Sequence, residues 1–222
     1  MDPIRIIEVK ENVLAKNDRD ADKLRAKMKE NKTLLINIMS SPGSGKTTLL
    51  KRTIKELKDE MKIGVLEADI DSDVDAAAIL GAGADSVQLH TGGACHLTAD
   101  MTEQGLAGFG DKHYDLVFIE NVGNLVCPAE FDTGATMNVC LLSVPEGDDK
   151  PLKYPLMFQV SHALVVTKID VRSVFDFDLA KLEKNAHMRH PGMKIMPLSA
   201  KTGDGFEEWI NFLRERDGEQ KK

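Results

Sequence analysis

No apolar run in this sequence approaches the ~20 residues that cross a bilayer, which excludes a membrane-spanning helix from what the chain is expected to form. Cysteine is scarce. Three in 222 residues is an odd count that cannot pair off into a disulfide framework and suits a reducing compartment. Basic charge is not in excess either: 29 Lys and Arg against 36 Asp and Glu leave a formal net charge of −7. That balance argues against general nucleic-acid or anionic-membrane binding, since both want basic surface. The first residues, Met1, Asp2, Pro3, Ile4 and Arg5, lack the basic-then-apolar build of a secretion signal, so a cytoplasmic location is expected. Internal repeats and low-complexity tracts are absent. Residues 1–32 contain no cysteine and no histidine and hence no soft-metal site. What is present, 42% hydrophobic and 29% charged residues, suits a globular chain with ample material for a core.

The order of segments supplies the architecture. Residues 4–30 carry Ile7, Val9, Val13, Leu14, Leu24 and Met28 among many charges, which predicts one or two amphipathic helices ahead of the core domain. Apolar runs of strand length then recur at 34–39, 63–68, 86–89, 114–120, 137–144, 163–166 and 194–198, with helical patterns between most of them. Cys140 sits mid-run among aliphatics and reads as core. Residues 145–151 read as a polar loop, and Phe206, Trp209, Ile210 and Leu213 stripe a closing helix. Such alternation predicts an α/β fold, a mostly parallel sheet flanked by helices on both faces. The expected division is a helical extension at 1–32, a nucleotide-binding domain at 33–215 and a solvated tail at 216–222.

Between the first strand and the helix after it stand Ser40, Ser41, Pro42, Gly43, Ser44, Gly45, Lys46, Thr47 and Thr48. A glycine-rich turn in that context is a phosphate-binding loop (P-loop). Gly43 and Gly45 let successive N–H groups point into one concavity, and the helix beginning near Lys46 adds its positive end. Lys46 reaches the β- and γ-phosphates, and the Thr47 hydroxyl suits Mg²⁺. Ser40 occupies a position where the usual pattern has glycine, which serine can fill if its φ is negative.

Acids at the ends of two later strands complete a magnesium site. Asp69, Asp71, Asp73 and Asp75 cluster after the second strand, where a carboxylate ligates Mg²⁺ or one of its waters. Asp69 and Asp75 are assigned metal or switch roles, and Asp71 or Asp73 a helix-capping role. Glu120 ends the 114–120 strand and either binds Mg²⁺ through water or orients the attacking water, so Lys46, Asp75 and Glu120 are the catalytic candidates. Gly123, just past Glu120, gives that loop freedom to move when a γ-phosphate is lost.

The P-loop alone does not choose between ATP and GTP. Thr167, Lys168, Ile169 and Asp170 resemble the Asn-Lys-x-Asp signature of GTPases, in which the aspartate accepts two hydrogen bonds from the guanine edge and the lysine stem lies along the ring. Ser199, Ala200 and Lys201 resemble the second base-contact loop, whose backbone N–H meets the guanine oxygen. Together they favour GTP. Thr167 replaces the asparagine, a change expected to weaken a contact between loops.

Cys95, His96 and Cys127 form a second constellation, since thiolate and imidazole suit Zn²⁺ and Ni²⁺. Both segments follow parallel strands and so can share one edge of the sheet. Composition alone favours the plainer alternative of unrelated cysteines and a surface histidine. Three ligands would leave a site open to a transient cargo or to completion by a second copy.

Taken with the P-loop and Cys95–His96, the run Glu120, Asn121, Val122, Gly123, Asn124, Leu125, Val126, Cys127, Pro128 resembles the HypB family, the GTPases that assist nickel insertion into [NiFe]-hydrogenase. The resemblance spans about residues 33 to 213. It implies the class of P-loop NTPase that dimerises around GTP (the SIMIBI class), slow hydrolysis and a metal site at the dimer interface. It makes Cys95, His96 and Cys127 ligands for Zn²⁺ or Ni²⁺, reversing the composition-based preference. It implies as partners a HypA-type metallochaperone and the hydrogenase large-subunit precursor. Some members carry an N-terminal cysteine motif or a histidine-rich nickel store, and residues 1–32 have neither. Rival readings are a GTPase serving urease or a cobalamin enzyme, a small-molecule kinase, and a metal-binding module with a degenerate loop.

Overall fold

The computed structural model describes residues 9–69 and 74–222, with side chains for 13–68 and 78–222. The apolar runs become Leu34–Ser40 (β1), Ile63–Asp69 (β2), Asp85–His90 (β3), Leu116–Glu120 (β4), Met137–Ser143 (β5), Ala163–Thr167 (β6) and Lys194–Pro197 (β7). They form one sheet in the order β3-β2-β4-β1-β5-β6-β7, and every pairing among the described residues is parallel. The helices are Val9–Glu30 (α1), Lys46–Leu57 (α2), Val74–Ala82 (α3), Ala99–Ala107 (α4), Cys127–Glu130 (α5), Lys150–Lys153 (α6), Pro155–Val160 (α7), Leu179–His187 (α8) and Phe206–Gln220 (α9).

The period of two along β1 sorts these helices onto two faces. Leu34, Ile36 and Ile38 belong to a core with Leu49, Leu50, Ile54 and Leu57 of α2, Ile79 of α3, and Trp209 and Leu213 of α9. Leu35 belongs to the opposite face with Leu24 and Met28 of α1, and Met39 does so with Met157 and Phe158 of α7 and Leu182 of α8. This is the P-loop NTPase arrangement, helices covering both faces of a parallel sheet. Helix α2 has no side-chain cap and no acid in its first turn. What holds it is burial of Leu49, Leu50, Ile54 and Leu57, at about 2 kcal/mol each, which leaves its N-terminal N–H groups uncapped by side chains.

The N-terminal segment is, from Val9 onward, one helix, within the expected one or two, and it docks on the domain with Leu24 and Met28 in the α1-side core. Residues 1–8 lie outside the described set. The supposed solvated tail from 216 continues α9 to Gln220. Gln220 Nε2 donates to the carbonyls of Met28 and Thr33, and Lys221 pairs with Asp115 and Asp217, each at 2.8 Å. The charged composition of the tail concealed these partners, because they come from distant segments. Residues 145–151, read as loop, take in the end of a 3₁₀ turn at Val144–Glu146 and the start of α6.

Candidate nucleotide and metal site

Backbone conformation builds the phosphate cradle. Gly43 (φ 74°) and Gly45 (φ 100°) both lie in the left-handed region, where a side chain would be strained. Ser40 is not among the positive-φ residues, so serine sits there without strain. It is fully buried, accepts from the Ser44 hydroxyl at 2.5 Å and from Lys46 Nζ at 3.3 Å, and donates to the Ser41 carbonyl. The departure from glycine thus becomes an internal brace of the loop. Thr47 Oγ1 donates to Glu120 Oε1 at 2.8 Å, joining the start of α2 to the end of β4. Gly43, Gly45, Lys46, Thr47, Thr48 and Glu120 line a cleft of about 400 Å³. The Thr47 hydroxyl and the Glu120 carboxylate, at the mouth of a phosphate loop, suit Mg²⁺. The side chains of Asp69 and Asp75, and residues Asp71 and Asp73, lie outside the described residues, so their assigned roles stay as expectations.

Beside the cradle, Ser44, Gly45, Thr48, Thr167, Lys168, Asp170, Ser199, Ala200 and Lys201 help to line a cavity of about 220 Å³ with mostly apolar walls. The two segments read as base-contact loops therefore meet in one place. Ser199 Oγ donates to Asp170 Oδ1 at 2.7 Å, which aims the carboxylate. Lys168 adopts a left-handed backbone (φ 60°), at a cost of about 1 kcal/mol for a residue with a side chain, and its Nζ donates to the Gly43 carbonyl at 2.7 Å. At Thr167 the loops are still tied: its hydroxyl donates to the Ser44 carbonyl at 2.6 Å.

Cys95, His96 and Cys127 converge. Their ligand atoms all lie within 4.8 Å of one another, and all three residues are half-buried. The cause is topological: β3 and β4 flank β2, and the segments following them leave the same carboxyl edge. The Cys95 thiol beside Cys127, aided by burial, pushes the Cys127 thiol above its ordinary range; burial pushes His96 below the usual histidine value, partly countered by Glu130. Cys127 therefore keeps its thiol proton and His96 is neutral near pH 7, and a thiophilic cation would bind by displacing protons from thiol ligands. Cys140 is fully buried with its thiol pushed up, consistent with a core role.

Several contributors escaped sequence reasoning. Phe131 stacks on the His96 ring with centroids 3.8 Å apart, holding it from the far end of α5; one helical turn from Cys127 was the available signal. Glu146 takes the Ser41 hydroxyl while capping the N–H of Ser143. Asn121, right after Glu120, donates to buried Asn37 of β1, which donates to Asn138 of β5, each at 3.0 Å. Gly123 matters here for close approach: a Cβ on it would come within 3.0 Å of Pro42 backbone atoms. The segment between Glu120 and Cys127 is thereby pressed against the phosphate loop.

Residues 34–197 match the CobW/HypB/UreG nucleotide-binding domain. The chain is 42% identical over 214 residues to the hydrogenase maturation factor HypB of Azotobacter vinelandii, covering 96% of this chain and 71% of that protein. It is 40% identical over 217 residues to the hydrogenase/urease maturation factor HypB of Helicobacter pylori strain J99, covering 96% and 89%. The crystal structure of HypB from Helicobacter pylori in complex with nickel resembles it with a TM-score of 0.87 at 39% identity, over 93% of this chain and 97% of that one.

Proposed function

This chain belongs to the CobW/HypB/UreG family and, within it, to the HypB hydrogenase maturation factors, and from that premise we propose that it is a GTP-hydrolysing metallochaperone that carries nickel toward [NiFe]-hydrogenase. The observation that carries the reading is the convergence of Cys95, His96 and Cys127 on the sheet edge that also bears the phosphate loop, with Cys127 seven residues beyond Glu120 in one continuous segment.

In this reading the N–H groups of residues 43–48 and the Lys46 ammonium hold the phosphates, and Asp170 with the 199–201 loop holds guanine. Thr47 and Glu120, with Asp69 and Asp75, would hold Mg²⁺, which neutralises phosphate charge when bound. Glu120 or Asp75 orients the attacking water, and turnover is slow. Bound GTP orders residues 69–75 and 120–133 and favours a homodimer in which a second copy completes the three-ligand site. Loss of the γ-phosphate relaxes the segment held at Gly123, Cys127 shifts, and nickel, the cargo, passes to a HypA-type chaperone or to the hydrogenase precursor in the cytoplasm. Zn²⁺ fits the same donors. The name of the Helicobacter pylori relative supports urease as a second recipient.

The test is nickel and zinc binding, with oligomeric state, in GDP and in a non-hydrolysable GTP analogue, for the wild type and Cys127→Ala. The proposal expects affinity and dimerisation to change with nucleotide and Cys127→Ala to lose the metal. Metal binding that ignores the nucleotide would leave a GTPase without a delivery switch.

A further inference from the structure

We propose that Asn17 of α1 is a positioning residue for the metal site, holding at one spacing the two chain segments that carry its ligands. The inference rests on the reading of Cys95, His96 and Cys127 as a metal site. Cys95 and His96 follow β3, Cys127 follows β4, and β2 lies between those two strands. The segments therefore leave the sheet two strand spacings apart, roughly 10 Å. Their ligand atoms nevertheless lie within 4.8 Å of one another, so the segments lean together beyond the reach of the sheet's own hydrogen bonds.

Asn17 touches both segments from outside. It is 8% exposed; its Oδ1 accepts the Ala99 N–H at 3.0 Å, and its Nδ2 donates to the Asp132 carbonyl at 2.8 Å. Ala99 stands three residues past His96 and opens α4, where the first N–H groups have no partner within the helix. The cap residue Thr98 serves the N–H of Met101, at 3.4 Å, and leaves that of Ala99 to Asn17. Asp132 directly follows Phe131, whose ring stacks on His96. One amide thus closes a ring of contacts that runs from His96 through Ala99, Asn17, Asp132 and Phe131 back to His96. Other residues of α1 grip one side each. Arg25 holds Asp132 Oδ2 at 2.6 Å and the Ala135 carbonyl at 3.1 Å, and Lys27 holds Glu103 of α4 at 3.0 Å. These fasten the helix to its neighbours, whereas the Asn17 side chain joins one ligand segment to the other.

The experiment uses the nucleotide-free protein and two readouts. One is Ni²⁺ affinity, followed by the thiolate-to-nickel absorption band. The other is the NMR shift of the His96 ring protons without metal, which the Phe131 ring shields. Asn17→Leu, similar in size but without the amide, is expected to weaken Ni²⁺ binding about tenfold, the scale found for residues that orient ligands from outside the metal's own shell. It should also move the His96 protons toward unstacked values. Asn17→Ala should act in the same direction and replaces the leucine variant if that one does not fold. Met28→Ala removes a core contact about three turns further along α1; it should lower Tm and move neither readout. Wild-type affinity and His96 shifts in the Asn17 variants, or an equal loss of affinity in Met28→Ala, would overturn the proposal. Cys127→Ala separates the two layers: if it binds Ni²⁺ as the wild type does, the metal reading itself fails, and the inference with it.

Discussion

Thr167 and Gly123 are single residues at which the surroundings overrule the obvious reading of the side chain. The Thr167 hydroxyl reaches the Ser44 carbonyl at 2.6 Å, so a tie between the two loops is made without the signature asparagine. Thr167→Val, nearly the same shape without the hydroxyl, is expected to cost about 1 kcal/mol of stability and to weaken GDP binding several-fold, read by thermal melts and calorimetry. Thr167→Asn should bind GDP close to wild type. Gly123→Ala places a methyl against Pro42. Because packed backbone does not yield cheaply, it should lower GDP affinity about tenfold or more while metal binding by the nucleotide-free protein persists. Unchanged GDP affinity would show that this contact does not shape the phosphate loop.

Helix α1 and the segment around Asp148 show how elements are fastened. Asn17, mostly buried, donates to the Asp132 carbonyl at 2.8 Å and accepts the Ala99 N–H at 3.0 Å. Arg25 adds an ion pair with Asp132 and a bond to the Ala135 carbonyl. Helix α1 thus clamps the segment that follows Phe131 and α5, next to the cysteine site. Asn17→Ala leaves a buried N–H and a carbonyl without this partner and is expected to cost about 2 kcal/mol in chemical denaturation. On the other side, Asp148 accepts the Asp178 N–H at 3.0 Å and pairs with Lys181 at 2.8 Å, and the Lys181 ammonium holds its carboxyl below the ordinary value of 3.8. A depressed carboxyl contributes stability above that ordinary value and loses it as pH falls through the lower folded value. Asp148→Asn should therefore be less stable than wild type at pH 7. Urea melts should show the difference narrowing as the pH falls through the acid range below 3.8.

For the whole molecule, nucleotide and stability are linked, since the cradle exists only in the folded chain. GDP at one hundred times its dissociation constant is expected to add about 2.7 kcal/mol, which for a chain of this size raises Tm by roughly 5–10 °C. Lys46→Ala should abolish that rise while keeping the basal Tm, because the Lys46 side chain is only half-buried and its bond to Ser40 is a long 3.3 Å. A Tm rise that survives the substitution would place the nucleotide elsewhere. The buried Trp209, the chain's one tryptophan, reports the transition: its Nε1 donates to Thr53 of α2, so its fluorescence follows the docking of α9 on the phosphate-loop helix.

Chemistry encoded within a few consecutive residues was legible without coordinates. Gly43, Gly45, Lys46 and Thr47 demand a particular turn between a strand and a helix, and aliphatic runs such as 137–144 have nowhere to go but a buried strand. The parallel α/β fold and the turn of the phosphate loop follow from those local rules. Relations between distant segments were legible only where a resemblance supplied them. It grouped Cys95 and His96 with Cys127, but that they meet depends on β3 and β4 flanking β2, and strand order is set by the packing of the whole sheet. That Gln220 serves carbonyls of Met28 and Thr33, that Phe131 covers His96, and that Asn17 joins Ala99 to Asp132 are matters of three-dimensional neighbourhood. No pairwise signal in one sequence records them, because hydrogen bonds and ring contacts depend on distance in space and are indifferent to separation along the chain.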